Sequence, residues 1–155
     1  KYGKIDIRAK LPSGGGTWPA LWSLGNNIDT ASWPACGEID YMEHVGNQLN
    51  KIFGTLHYPG HSGGNAVGGN TVMPTATTEF HIYSTEWNSS TIKFYVDNQL
   101  FYTFNNDSSL PFNQNFFLIF NENSEVNEKQ NDMKLKIYSA KNCPNTCKNS
   151  GRKKT

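Results

Sequence analysis

Cysteine is scarce in this 155-residue chain, with Cys36, Cys143 and Cys147 as its three examples. That is too few for a disulfide-built scaffold, and the odd number leaves at least one thiol unpaired. No apolar run approaches the roughly 20 residues that a membrane-spanning helix requires. Nowhere does an apolar 3.6-residue period persist for three turns, which argues against a helical domain. The formal net charge is only +1, so no global field draws the chain to nucleic acid or to an anionic membrane. Charged residues make up 17% of the chain, yet aromatics reach 13% and are spread throughout, a balance that excludes a disordered polymer. The length suits one domain with one sizeable core. The chain opens at Lys1 rather than at a Met or a signal peptide, so the compartment has to be argued from other features.

The charge that is present is unevenly placed. Lys141, Lys148, Arg152, Lys153 and Lys154 give residues 141–155 five positive charges and no acid, leaving nine basic and thirteen acidic side chains in residues 1–140. This divides the chain into a domain over 1–140 and a basic tail over 141–155, expected to be disordered and solvated rather than a nucleic-acid arm.

Strand signals dominate what precedes the tail. Lys4–Leu11 alternates, with Ile5, Ile7, Ala9 and Leu11 on one side and Asp6, Arg8 and Lys10 on the other, until Pro12-Ser13-Gly14-Gly15-Gly16 breaks the run. Thr17–Leu24, if extended, sets Trp18, Ala20, Trp22 and Leu24 on one face. Phe80–Trp87, Thr91–Val96 and Leu100–Phe104 are β-branched and aromatic runs, separated by the turn-forming Asn88-Ser89-Ser90 and Asp97-Asn98-Gln99. Phe116–Phe120 reads as a short strand buried on both faces. The Gly-rich Pro59–Pro74 reads as a surface loop at a sheet end, since no Lys-Ser/Thr or helix follows that would make it a phosphate cradle. The expected fold is all-β, two packed antiparallel sheets.

The stretch Gly37-Glu38-Ile39-Asp40-Tyr41-Met42-Glu43-His44 places three carboxylates within six residues of a strand-like run. Each costs several kcal/mol if buried unpaired. Simple alternation puts Glu38 and Asp40 on one face and Glu43 on the other. One extra residue at Tyr41-Met42, a β-bulge, returns Glu43 to the face of Glu38. Two carboxylates facing each other across a cleft are the apparatus of glycosidic bond cleavage. Like-charge coupling through Asp40 would help keep one member of the set protonated near neutral pH. A solvent-facing acidic strand edge that resists aggregation is the alternative reading. Three flanking features favour catalysis: Trp18, Trp22 and Trp33 upstream, whose indoles suit stacking on sugar rings; His57 in Gly54-Thr55-Leu56-His57-Tyr58, which can stand beside the acids; and turns that gather loops around one sheet face.

The succession YGKIDIRAKLPSGGGTWPALW, WPACGEIDYMEHVG, GTLHYPG, FHIYSTEW and IKFYVDNQL resembles glycoside hydrolase family 16, in its laminarinase-like endo-β-1,3-glucanase branch, over roughly Lys1–Asn121. Lichenases and xyloglucan-modifying members read Glu-x-Asp-x-Glu, without the extra residue seen here. The resemblance implies a jelly-roll, concanavalin-like β-sandwich with a concave glucan-binding face. It further implies retaining endo-hydrolysis of β-1,3-glucan, with mixed-linkage β-1,3-1,4-glucan often accepted. By the same resemblance Glu38 matches the nucleophile, Glu43 the acid/base, Asp40 the assisting acid and His57 the histidine beside the cleft. Trp33, Trp22 and Trp18 match stacking positions, and Asn26 and Arg8 are candidates for polar contacts. Retention implies a separation of about 5–5.5 Å between the two glutamate carboxyls. The resemblance also implies a β-glucan partner, no cofactor, a monomer without a membrane span and a secreted or cell-surface location.

Two departures from the family pattern stand out. Family domains have strands before the segment matching Tyr2-Gly3-Lys4, so the chain is expected to be a partial domain lacking N-terminal strands. After Asn121 the family's Gly-rich, Trp-containing loop is replaced by the polar Glu122–Gln130, with Lys134-Leu135-Lys136-Ile137-Tyr138 as the candidate closing strand. Two alternatives follow: a non-catalytic β-glucan-recognition module on the same fold, and a fragment too incomplete to act. No metal ligands are assigned, because Cys143 and Cys147 lack the partners that would complete a zinc site. Calcium bound by some relatives is not inferable here.

Overall fold

The computed structural model describes residues 1–124 and 134–141. Among these the chain forms β1 (Gly3–Lys10), β2 (Thr17–Gly25), a one-turn helix α1 (Ile28–Ala31), β3 (Glu38–Glu43), β4 (Lys51–His57), β5 (Val67–Val72), β6 (His81–Trp87), β7 (Thr91–Val96), β8 (Gln99–Asn105), β9 (Phe116–Ser124) and β10 (Lys134–Lys141). They assemble into two five-stranded sheets, ordered β5-β4-β3-β2-β9 and β10-β1-β6-β7-β8, with antiparallel neighbours throughout.

The period-2 pattern of β1 is what sends Ile7 and Ala9 inward and leaves Arg8 and Lys10 only partly buried. They meet Leu21, Ile39, Met42 and Leu56 of the opposing sheet in one continuous core, together with Tyr83, Ile92 and Phe94. Cys36 joins the buried set as a free thiol, pushed up by burial, in keeping with a small apolar residue. The β7–β8 connection is a two-residue turn, Asp97 and Asn98, both at positive φ (48° and 66°). This hairpin geometry suits Asx residues.

Two sequence expectations are corrected. The run 116–120 is not buried on both faces: Phe117 and Leu118 are exposed, because β9 is the outermost strand of its sheet among the described residues. The Gly-rich segment 59–74 is not loop throughout but contains the edge strand β5, paired with β4. Gly60 and Gly63 do form turns at positive φ, but Gly68 and Gly69 within β5 are there for close approach. A Cβ on Gly68 would collide with the Gly54 carbonyl, and one on Gly69 would lie 2.8 Å from the Tyr102 ring.

Lys134–Tyr138 lies in β10, which pairs with β1. Residues 142–155, with Cys143, Cys147 and most of the expected basic tail, lie outside the described residues, as does the 125–133 stretch. Among the described residues no helix is long and apolar enough to cross a membrane.

Candidate active site

The bulge required by the acid spacing is present. β2 pairs with β3 as Ala20↔Glu43, Leu21↔Met42 and Trp22↔Asp40, which leaves Tyr41 without a partner. On the other side, Asp40↔Thr55 and Glu43↔Phe53 set Tyr41 and Met42 against Gly54 alone. Two residues opposing one is a β-bulge, and it restores Glu43 to the face of Glu38 and Asp40. Ile39, Tyr41 and Met42 all enter the core, and the buried Tyr41 hydroxyl is satisfied by Ser23 Oγ at 2.6 Å. Glu38, Asp40 and Glu43 line one open cleft of about 460 Å³ with Trp18, Ala20, Trp22 and Asn121.

Each carboxylate is held differently. Trp33 Nε1 donates to Glu38 Oε2 at 2.6 Å. Glu43 is held at both oxygens: Trp18 Nε1 donates to Oε1 at 3.2 Å, and Thr55 Oγ1 donates to Oε2 at 2.5 Å. Trp22 turns its N–H to Asn121 Oδ1 at 2.6 Å. His57 Nε2 stands 3.3 Å from Asp40 Oδ2 and 3.7 Å from Glu38 Oε1. Its Nδ1 accepts the Gly63 amide at 3.1 Å, so in the neutral ring the proton sits on Nε2, facing the acids. The His57 ring also leans on Trp33, with centroids 5.8 Å apart.

Electrostatics single out Asp40, which is 3% exposed. Burial pushes its carboxyl well above the usual carboxylate range, Glu43 and Glu38 add to that rise, and His57 opposes it. In return, the Asp40 carboxylate holds His57 above the usual imidazole range, against the effect of burial. The like-charge coupling expected among the acids therefore falls on Asp40, whose rise His57 partly offsets. His44, at the end of the motif, is buried with Nε2 on the Leu49 carbonyl at 3.0 Å, and burial lowers its proton affinity. It packs the strand end.

The structure brings together Glu38, Asp40, Glu43, Trp18, Trp22, Trp33 and His57. It does not bring Arg8 to the cleft: β1 belongs to the other sheet, and the guanidinium lies 4.1 Å over the Phe80 ring. Asn26 is exposed at the end of β2, where its backbone N–H reaches the Asn115 carbonyl at 2.9 Å. It is not among the residues lining the cleft. Thr55 and Asn121 were missed by sequence reasoning. Thr55 shares a strand face with His57 two residues on, a signal that was available; Asn121 stands one residue beyond the apolar run. The tryptophans also do more than expected, since Trp18 and Trp33 use their N–H edges on the carboxylates. No metal ligands were assigned from sequence, yet Glu38, Asp40 and His57 offer ligand atoms all within 4.8 Å of one another.

Residues 1–133 match the family of glycosyl hydrolases family 16. The chain belongs to that family. A protein named beta-glucanase from Rhodothermus marinus is 44% identical over 133 residues, covering 77% of this chain and 46% of that protein. One named glucan endo-1,3-beta-glucosidase A1 from Niallia circulans is 39% identical over 135 residues, covering 78% and 20%. The catalytic domain of an endo-1,3-beta-glucanase (laminarinase) from Thermotoga petrophila superposes with a TM-score of 0.81 at 39% identity, covering 92% of this chain and 65% of that domain. The two sheets are thus those of the family 16 jelly-roll sandwich, and the chain spans less than half the length of the two named proteins it matches.

Proposed function

We propose that this family 16 chain carries out retaining endo-hydrolysis of β-1,3-glucan, with mixed-linkage β-1,3-1,4-glucan as a second substrate. The observation that carries the reading is the bulge at Tyr41–Met42, which sets Glu38, Asp40 and Glu43 in one cleft. Glu38 attacks the anomeric carbon to form a glycosyl ester; Glu43 protonates the departing oxygen and then takes a proton from the incoming water. The hydrogen-bond partners favour this division of roles. Trp33 N–H can only donate, which suits a carboxylate that stays ionised until it attacks. A hydroxyl can donate to a carboxylate or accept from a carboxylic acid, so Thr55 suits a group that alternates between the two forms. Asp40, raised by burial and opposed by His57, tunes the charge beside both glutamates. The cleft is open along the sheet and edged by indoles, as a polymer cut at internal bonds requires.

Reducing-sugar release from laminarin, compared with barley mixed-linkage glucan and xyloglucan, tests the proposal. Cleavage of laminarin to oligosaccharides supports it. Binding without product favours the glucan-recognition alternative, and absence of both, together with no cooperative thermal transition, favours the inactive-fragment alternative. A secreted or cell-surface location follows from the same reading, since the polymer cannot enter a cell intact.

A further inference from the structure

Three side chains in the cleft, Glu38, Asp40 and His57, bring one candidate ligand atom each to within 4.8 Å of one another. His57 Nε2 lies 3.3 Å from Asp40 Oδ2 and 3.7 Å from Glu38 Oε1. Donors bonded to zinc at about 2.0–2.2 Å in a tetrahedron stand roughly 3.3–3.6 Å apart. Glu38 and Asp40 each keep one oxygen open for such a bond, and His57 Nε2 opens once its ring proton moves to Nδ1. Glu38 Oε2 is occupied by Trp33, which leaves Oε1. Asp40 Oδ2 is buried without a hydrogen-bond partner, on a residue only 3% exposed. His57 engages Gly63 through Nδ1, which turns Nε2 to the acids.

We propose that a zinc-class divalent cation binds Glu38, Asp40 and His57, keeps its fourth position toward the cleft, and blocks glucan hydrolysis by occupying the attacking carboxylate. One nitrogen and two carboxylate oxygens suit zinc or cobalt better than calcium or magnesium, which take six or more oxygen ligands or keep their waters. The surroundings describe an exchangeable cation rather than a resident one. Trp33 orients Glu38 as an outer partner should. His57, however, accepts at Nδ1, whereas a ligating histidine donates there; a cation at Nε2 moves the ring proton to Nδ1 and breaks the Gly63 bond. Blocking of hydrolysis rests on the proposed glucanase reading; binding does not.

Titration calorimetry of the chain with zinc chloride, and separately with calcium chloride, tests the binding. One zinc per chain is expected, with affinity at least tenfold above that for calcium. His57→Gln and Asp40→Asn should each weaken it at least tenfold, while His61→Gln, on the exposed neighbouring loop, leaves it unchanged. Stoichiometric zinc binding unaffected by His57→Gln, or no binding at all, overturns the site. Should those variants not fold, the visible spectrum of the unaltered chain with cobalt chloride decides: intense four-coordinate bands support it, and a weak octahedral spectrum overturns it. In laminarin assays zinc should raise KM with little change in kcat; unchanged kinetics despite bound zinc would overturn the blocking role. A chain that binds zinc but never cleaves laminarin fails the glucanase reading and leaves the cation site standing.

Discussion

Tyr41 and Met42, consecutive in β3, are both buried in the core at 1% and 0% exposure, although neighbouring residues of a regular strand face opposite ways. The extra residue is absorbed inward, where apolar contacts secure it, and its effect appears outward as the realigned Glu43. Core packing thereby fixes how the three carboxylates are placed. Gly54, the single residue facing the bulge, has no room for a side chain, since a Cβ there would lie 2.7 Å from the Phe94 ring.

Gly54→Ala should therefore overpack the inter-sheet contact beneath the bulge. A loss of about 1–3 kcal/mol in folding stability is expected from such crowding, read as a lower thermal midpoint, with turnover reduced as Glu43 shifts. An unchanged midpoint would show that the Phe94 ring moves aside freely.

Glu38→Gln and Glu43→Gln should each lower kcat on laminarin by about 10²-fold or more, the scale of a lost acid, base or nucleophile, with glucan binding largely kept. Adding azide to Glu38→Ala should yield the α-glycosyl azide by direct displacement, because the small anion fills the vacated space. Wild-type turnover in either glutamine variant would remove that residue from its role.

On the proposed reading Thr55, which donates to Glu43, acts through it as a positioning residue. Thr55→Val keeps the shape and deletes the 2.5 Å donor. A hydrogen bond to a charged group is worth about 1.5–3 kcal/mol, so kcat should fall roughly 10- to 100-fold with KM little changed. Thr55→Ser should recover most of the loss. A rise in KM with kcat intact would instead place Thr55 in substrate binding.

Much of this site was legible before any coordinates. The carboxylate spacing in Glu38–Glu43 cannot be reconciled with one shared face unless a residue is inserted, and the alternation of β1 separates Ile7 and Ala9 from Arg8 and Lys10. Positions set by tertiary contact were less legible. Arg8 is a candidate polar contact only by the family resemblance, and the alternation of its strand does not say which sheet that strand joins. Phe117 and Leu118 read as buried because apolar runs in central strands look the same as this one in an outer strand. The glycines of 59–74 suggest a loop, and only the nearness of Gly54 and Tyr102 explains why β5 needs Gly68 and Gly69.

Asp40→Asn should stabilise the fold as it impairs the chemistry. The Asp40 carboxyl is raised by burial, so between its unfolded value of about 4 and its folded one the native chain holds the extra proton. Stability therefore falls as pH rises through that window. His57, raised mainly by Asp40, works in the same sense: its contribution is complete below about 6.5 and is lost as pH rises through its folded value. The variant's thermal midpoint should match wild type at pH 4 and exceed it at pH 7, while kcat drops by about tenfold or more. A variant less stable than wild type at pH 7 would mean the ionised Asp40–His57 pair supports the fold.

Double displacement requires Glu38 and Glu43 to share one cleft wall at close range. Proton NMR of the anomeric signals during the first minutes of laminarin cleavage measures this directly. The account predicts that new reducing ends appear as the β-anomer and only later mutarotate to the α form; initial release of the α-anomer would contradict it.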